Sequence, residues 1–148
     1  MIDVFSKFAW VVPVHSKDVK AITAAFEQVL TTANPRHPKR LQTDKSKEFF
    51  NSNFQTLIKR QGIQHFASES EQKAAIVKRL NRTIKTKIWT YLSDRGIVRW
   101  IDIILDLVGA YNYSRHRSID MAPADAQTKD KNPLLVRLFG HGDTHLNP

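Results

Sequence analysis

The sequence is a basic chain of 148 residues with a formal net charge of +9, a pI near 10.0 and 41% apolar residues. This length suits one domain with a sizeable core and is short for two domains of ordinary size. The absence of cysteine excludes disulfides and thiolate zinc sites, and no run approaches the roughly 18 apolar residues of a membrane span. The charge favours a polyanionic partner such as nucleic acid, with general solubility charge as the open alternative.

The first half of the chain is predicted to alternate strands with helices. The predicted elements are strands at 1–5, 8–14, 41–43 and 63–66 and helices at 17–32 and 51–60. Ser6 and Lys7 are expected to form a tight hairpin connection, and Ser16 to cap the first helix. The order β-β-α-β-α-β is typical of an α/β layered domain. Because the chain begins within a strand, we expect that the start of a domain is missing.

The second half is predicted to be helical and basic. A polar loop at 67–72 precedes the longest helix, at 73–92, whose core stripe is predicted to be Val77, Leu80, Ile84, Ile88 and Tyr91. A further helix is expected at 100–111, a basic loop at 112–118, and a short helix beginning with 121–125. We expect one domain at 1–127, and a linker or the stub of a C-terminal module at 128–148.

Two features indicate where a ligand would bind. Asp44 follows a predicted strand, and ligands of α/β sheets bind outside the carboxyl ends of strands. Lys78, Arg82 and Lys85 recur at steps of four and three on one helix face, with Asn81 beside them. Stacked like charges repel by a few tenths of a kcal/mol per pair, so the arrangement favours an anion along this face. A solvated basic face remains the alternative.

Four segments, in this order, resemble the integrase catalytic core of retroviruses, LTR retroelements and related eukaryotic DNA transposons. They are Ile2-Asp-Val-Phe-Ser-Lys-Phe-Ala-Trp10, Leu41-Gln-Thr-Asp-Lys-Ser-Lys-Glu-Phe-Phe50, Val77-Lys-Arg-Leu-Asn-Arg-Thr-Ile-Lys85, and Tyr111-Asn-Tyr-Ser-Arg-His-Arg-Ser118 through Ala122-Pro123. The resemblance covers residues 1–127 and implies a ribonuclease H-like mixed sheet flanked by helices. It also implies that the first strand of that sheet is absent from this chain.

The resemblance further implies a two-metal site for polynucleotidyl transfer. In the family, two Asp and one Glu hold two Mg²⁺ (or Mn²⁺) ions, which activate the nucleophile and stabilise the leaving oxygen. Asp44 matches the second carboxylate and is the candidate catalytic and metal-binding residue. Lys78 stands where the Glu is expected, and an ammonium group repels a metal ion. Neither Glu69 nor Glu71 is expected to replace that Glu.

The first carboxylate of the family belongs to a strand upstream of residue 1. Asp3 lies in a segment that resembles the family's second strand, so it is expected to orient the hairpin. His65, in a short predicted strand, is expected to be a packed or partly exposed histidine and not a ligand.

The resemblance implies DNA as the partner. Asn81, Arg82 and Lys85 match helix positions that face DNA ends in the family, and Lys78 lies on the same helix. The other candidate DNA-binding residues are Lys45, Lys47, Arg115 and Arg117, with His116 between the last two. A homo-oligomer, an intracellular and nuclear location, and no membrane association are also expected.

Three functions stay open at this point. The chain is an integrase or transposase core that performs strand transfer, a transposon-derived domain that binds DNA without catalysis, or a decayed element fragment with no selected activity. With Lys78 in place of the Glu and the first Asp missing, we expect catalysis to be impaired and Mg²⁺ not to bind tightly. The sequence does not separate the second function from the third.

Overall fold

The computed structural model describes residues 1–67, 71–96, 99–126 and 130–140, except the side chains of residues 71–74, 131 and 139. The elements are α1 (Val19–Ala33), β1 (Arg40–Thr43), α2 (Ser52–Arg60), β2 (Gln64–Ala67), α3 (Glu71–Arg95), α4 (Ile101–Tyr113) and α5 (Lys131–Phe139). The chain divides into two compact units. The central unit is residues 10–80, and the terminal unit is residues 1–9 together with those from 81 onward.

In the central unit, α1 begins two residues later than predicted. Asp18 is the N-cap, since its Oδ1 accepts a hydrogen bond of 2.8 Å from the backbone N–H of Ala21. The hydroxyl of Ser16 donates to the other carboxylate oxygen of Asp18. Ser16 therefore supports the cap from outside the helix, and its predicted role as the cap is wrong.

The core of the central unit lies between α1, α2 and the sheet. Asn51 caps α2 by accepting a 3.0 Å hydrogen bond from the N–H of Phe54, as expected for a helix at 51–60. Phe54 is fully buried, with its ring centroid 5.2 Å from Phe26 and 5.3 Å from Phe49. The cluster around it consists of Leu30, Ile58 and Ile63, with Ile22 and Leu41 partly buried at its edge.

The sheet of the central unit is a parallel pair, β1 beside β2, with Leu41 opposite His65 and Thr43 opposite Ala67. Parallel strands need a crossover connection, which α2 supplies here. The strand predicted at 8–14 is wrong, because in the described residues its pairing is limited to a single bridge between Ala9 and Ile2. Pro13 also lacks the N–H that a continued ladder would use.

The terminal unit contains the predicted turn near the N-terminus. The N–H of Asp3 donates to the carbonyl of Phe8 at 2.9 Å, and the N–H of Lys7 donates back to the carbonyl of Asp3 at 2.9 Å. The Asp3 carboxylate accepts from the N–H of Phe5 at 3.0 Å and from the hydroxyl of Ser6 at 2.6 Å. Asp3 therefore orients this turn, as expected.

Within the terminal unit, Asn112 in the last turn of α4 holds the N-terminal segment. Its Oδ1 accepts from the N–H of Ala9 at 2.8 Å, and its Nδ2 donates to the carbonyl of Ala9 at 2.9 Å. Asn112 is 5% exposed and Ala9 1%. The side-chain amide thus bonds both backbone groups of Ala9, as a neighbouring strand would. The prediction that residue 112 begins a polar loop is wrong.

The remaining helices agree with the predictions in part. Leu80 and Ile84 of α3 are buried as predicted, whereas Val77 is 44% exposed, so its predicted core position is wrong. No helix begins at 121–125, because the N–H of Ala124 donates to the carbonyl of Asn112 at 2.9 Å instead of to a helical partner. Of the loop predicted at 67–72, residue 67 lies in β2 and residues 71 and 72 lie in α3, while residues 68–70 are outside the described part of the chain.

α5 lies within the segment predicted to be a linker or stub. Its Leu134 is 2% exposed and packs with Ile119 and Ala126 in a cluster bordered by Met121 and Leu138. A helix with a buried side chain is more typical of part of a folded module than of an extended linker. The domain boundary after residue 127 stays a prediction.

Candidate functional site

Asp44 lies where it was predicted, directly after the carboxyl end of β1. Its side chain is exposed, and Oδ1 accepts hydrogen bonds from the N–H of Ser46 at 3.1 Å and from the hydroxyl of Ser46 at 2.6 Å. This is an Asx turn, in which an aspartate bonds the backbone two residues further on. The turn holds Oδ1 of Asp44 against Ser46. Oδ2 of Asp44 has no hydrogen-bond partner among the described residues.

A hydrogen-bonded chain through His65 supports the strand end that precedes Asp44. Gln55 Nε2 lies 2.9 Å from the carbonyl of Phe49 and 2.8 Å from Nδ1 of His65. An amide nitrogen only donates, so Nδ1 accepts and the proton of the neutral ring is on Nε2. Nε2 lies 2.8 Å from the hydroxyl oxygen of Thr43, which in turn donates to the carbonyl of Asp44 at 2.8 Å. The hydrogen bonds therefore all run in one direction, from Gln55 through His65 and Thr43 to the carbonyl of Asp44.

Aromatic rings enclose the same histidine. The ring of Phe50 stacks on His65 with centroids 4.7 Å apart, and the ring of Phe54 packs edge-on against His65 with centroids 5.8 Å apart. Burial lowers the pKa of His65, because the rings replace water that would solvate the imidazolium. His65 is thus a neutral, packed histidine, as the sequence analysis expected.

The described residues do not provide the donor set of a two-metal centre. No three His, Cys, Asp or Glu side chains among them lie close enough together to hold an ion. Glu69 and the side chain of Glu71 are outside the described residues. Lys78, at the position where the resemblance expects Glu, is exposed on α3. A single exposed carboxylate beside Ser46 is a poor fit to two divalent ions, which need several oxygen ligands.

The predicted basic residues of α3 lie exposed along this helix. Lys78, Asn81, Arg82 and Lys85 are all exposed, and their spacing of three and four residues places them on neighbouring positions of one face. Neither Arg82 nor Lys85 forms an ion pair with another residue in the described part of the chain. Trp89 continues the same spacing and is 70% exposed. Trp89 was not among the predicted binding residues, although the three-and-four spacing of residues 78, 82 and 85, extended by one step, reaches it.

The candidate residues outside α3 differ in their surroundings. Lys45 and Lys47 are exposed beside Asp44. Arg115 forms an ion pair with Asp120, which also lies 3.5 Å from Arg137. His116 is half-buried, with Nε2 2.9 Å from the carbonyl of Tyr111, against whose ring it packs at 4.3 Å. His116 therefore has a structural role, and Arg115 must give up a carboxylate before it binds a phosphate.

The sequence is similar to those of known proteins. The family model of the integrase core domain matches residues 1–73. An uncharacterized transposon-derived protein of Caenorhabditis elegans is 31% identical over 136 residues, which are 91% of this chain and 47% of that protein. The chain therefore spans about half the length of the curated relative that it matches.

Solved structures share the fold. The HTLV-2 integrase catalytic core domain in complex with magnesium (trimeric form) superposes with a TM-score of 0.72 at 20% identity, covering 83% of this chain and 78% of that one. A chain of the simian T-cell lymphotropic virus intasome in complex with the PP2A regulatory subunit B56 gamma gives a TM-score of 0.76 at 15% identity, covering 99% of this chain and 48% of that one.

These likenesses define a mixed α/β domain with the ribonuclease H-like fold of integrase catalytic cores, and the predicted fold class is confirmed. The model of the integrase core domain matches residues 1–73, and the chain is similar to a transposon-derived protein, so the predicted resemblance is confirmed as well. In the part of the chain that the structure describes, no helix is both long enough and apolar enough to cross a bilayer.

Proposed function

We propose that this chain is a transposon-derived integrase core that binds DNA through the exposed face of α3 and does not perform strand transfer. The observation that carries the proposal is the row of exposed Lys78, Arg82 and Lys85 on one helix of a chain with a net charge of +9. A row of cations along a helix can neutralise the regularly spaced phosphates of a nucleic-acid backbone. The other candidate DNA-binding residues are Lys45, Lys47, Arg115 and Arg117.

The salt dependence of binding tests this proposal. Each neutralised phosphate contributes about −0.9 to the slope of log K against log salt concentration for duplex DNA. If Lys78, Arg82 and Lys85 each contact one phosphate, replacing all three with Ala lowers the magnitude of the slope by about 2.7. The measurement is a fluorescence-anisotropy titration of a duplex from low to high salt.

A matched control separates a local interface from general charge. Replacing Lys17, Lys20 and Lys59 with Ala removes the same three charges from exposed positions outside α3. We expect this control variant to keep most of the slope. An equal loss in both triple variants would leave only a diffuse basic surface, and no binding at low salt would favour the alternative of an element fragment without selected activity.

We propose that the chain does not perform strand transfer because Lys78 stands where the family has a catalytic Glu. In the HTLV-2 core domain the catalytic fold is found with magnesium, but here a cation occupies the position of the expected Glu. We expect calorimetry with Mg²⁺ or Mn²⁺ to detect no tight site. Lys78→Glu alone should also remain inactive in strand transfer, since a single added carboxylate does not complete a two-metal site. Tight binding of two ions by the unaltered chain would overturn this part of the proposal.

Self-association and a nuclear location complete the proposed function. The HTLV-2 core domain has been solved in trimeric and dimeric forms, and we propose that this fold self-associates here too. Sedimentation velocity at several concentrations tests it, and a sedimentation coefficient that stays at the monomer value would contradict it. A fluorescent fusion of the full chain tests the location.

A further inference from the structure

Trp89 stands out on α3 because a large aromatic side chain is exposed at the end of a basic row. It is 70% exposed, against 42% for Trp100. Arg82, Lys85 and Trp89 are separated by three and four residues, so they lie on one face over about 10 Å of helix length. Both cations are exposed.

The neighbours of Trp89 on α3 argue against an apolar protein partner. The residues four before, three before and four after it are Lys85, Thr86 and Ser93, which are polar and exposed. Its remaining neighbour on this face, Leu92, is half-buried. Apolar interfaces between proteins are depleted of charge at their centre and place aromatic residues among other apolar side chains. Trp89 is instead a single ring next to cations.

A ring next to cations suits a nucleic acid whose bases are accessible. Proteins that bind single strands combine a positively charged surface for the backbone with aromatic rings on which unpaired bases stack. Within a duplex both faces of each interior base are covered by its neighbours, so an unpaired base offers Trp89 the more accessible face. We propose that Trp89 stacks on an unpaired base of a DNA strand end while Arg82 and Lys85 bind the adjoining phosphates. This inference rests on the proposed binding of DNA by α3.

The test compares three probes at low salt with the full chain. They are a single-stranded oligothymidine, a blunt duplex, and the same duplex with a short 3′ single-stranded extension. Stacking on one base makes about a 5- to 150-fold difference in affinity on removal of the ring. We expect Trp89→Ala to weaken binding of the single strand and the extended duplex about 10-fold or more, and of the blunt duplex less than 2-fold.

Three further variants separate stacking from other effects. Trp89→Phe keeps a π face and should retain most of the affinity, whereas Trp89→Leu keeps apolar area alone and should behave like Trp89→Ala. Leu105→Ala removes a comparably exposed apolar side chain (64%) from α4 and should change nothing. Because Trp89 is exposed, all of these variants should fold, and far-UV circular dichroism checks this.

The outcomes distinguish this inference from the proposal on which it rests. Blunt-duplex binding that persists while Trp89→Ala leaves single-strand affinity unchanged overturns the role of Trp89 alone. Equal losses on all three probes also overturn it, because stacking requires an accessible base. A change in sedimentation of Trp89→Ala without a change in DNA affinity would show that a second copy covers the ring. Failure of the unaltered chain to bind any probe at low salt refutes the DNA binding itself.

Discussion

The substitution Asn112→Ala tests most directly how the N-terminal segment is held. The side-chain amide of Asn112 makes two hydrogen bonds to Ala9: its Oδ1 accepts from the N–H at 2.8 Å, and its Nδ2 donates to the carbonyl at 2.9 Å. Ala9 is 1% exposed, so water does not reach these groups without a rearrangement. In Asn112→Ala both backbone groups lose their partner and remain buried.

The expected destabilisation follows from the cost of an unsatisfied buried group. Each such group costs about 1–3 kcal/mol, so the two together cost about 2–6 kcal/mol, with about 4 kcal/mol as the central value. A domain has a free energy of unfolding of only about 5–15 kcal/mol, so this loss is large. At roughly 2–4 °C per kcal/mol for a domain of this size, Tm should fall by about 8–16 °C.

Urea unfolding followed by tryptophan fluorescence measures the loss as a lower midpoint at an unchanged m value. Tyr113→Ala is the matched control, since Tyr113 is the next residue of α4 and is 77% exposed. We expect the control to stay within about 0.5 kcal/mol of the unaltered chain. A loss below about 1 kcal/mol for Asn112→Ala would refute the reasoning, because it would mean that the two groups of Ala9 find other partners at little cost.

Three further predictions concern the central unit. Asn51→Ala should cost about 1 kcal/mol by removing the cap of α2, and Asn51→Gly only a few tenths, as measured by urea unfolding. Arg60→Ala should change stability by less than about 1 kcal/mol, because its ion pair with Glu27 is exposed on both sides. The lowered pKa of His65 means that the unfolded state binds more protons at acidic pH, so stability should fall as the pH drops below about 6.5 and level off below the folded-state pKa. His65→Gln should remove this part of the pH dependence in urea unfolding at a series of pH values, and an unchanged profile would contradict the assigned cause.

The local elements of the central unit could be predicted because their signals are local. The helix at 51–60 carries its cap, its apolar stripe and a glycine after its end within a dozen residues, and Gly62 indeed has a φ of 66°. The first helix shows the limit of that method. Ser16 and Asp18 are both good capping residues, and only the hydrogen bond from Ala21 to Asp18 decides between them.

The errors at residues 8–14 and at residue 112 come from contacts that are distant in the sequence. The run at 8–14 has the composition of a strand, but a strand needs a partner, and Ala9 finds its partner in an asparagine 103 residues away. The same contact explains why residue 112 was assigned to a loop. An Asn in a polar, basic segment gives no sign that its amide is buried against the backbone of another segment.

In the candidate site, too, local features could be predicted from the sequence and contacts between distant segments could not. Asp44 could be placed at the end of a strand from local pattern alone, and the structure puts it there. Its support could not be predicted, because the chain from Gln55 through His65 to Thr43 joins α2, β2 and β1, and only the fold brings those residues within hydrogen-bond distance. The position of Lys78 on α3 is again a local property, set by the helical repeat. A cation there is compatible with phosphate binding and incompatible with metal ligation, so the same residue that removes the expected carboxylate adds to the basic row that ends at Trp89.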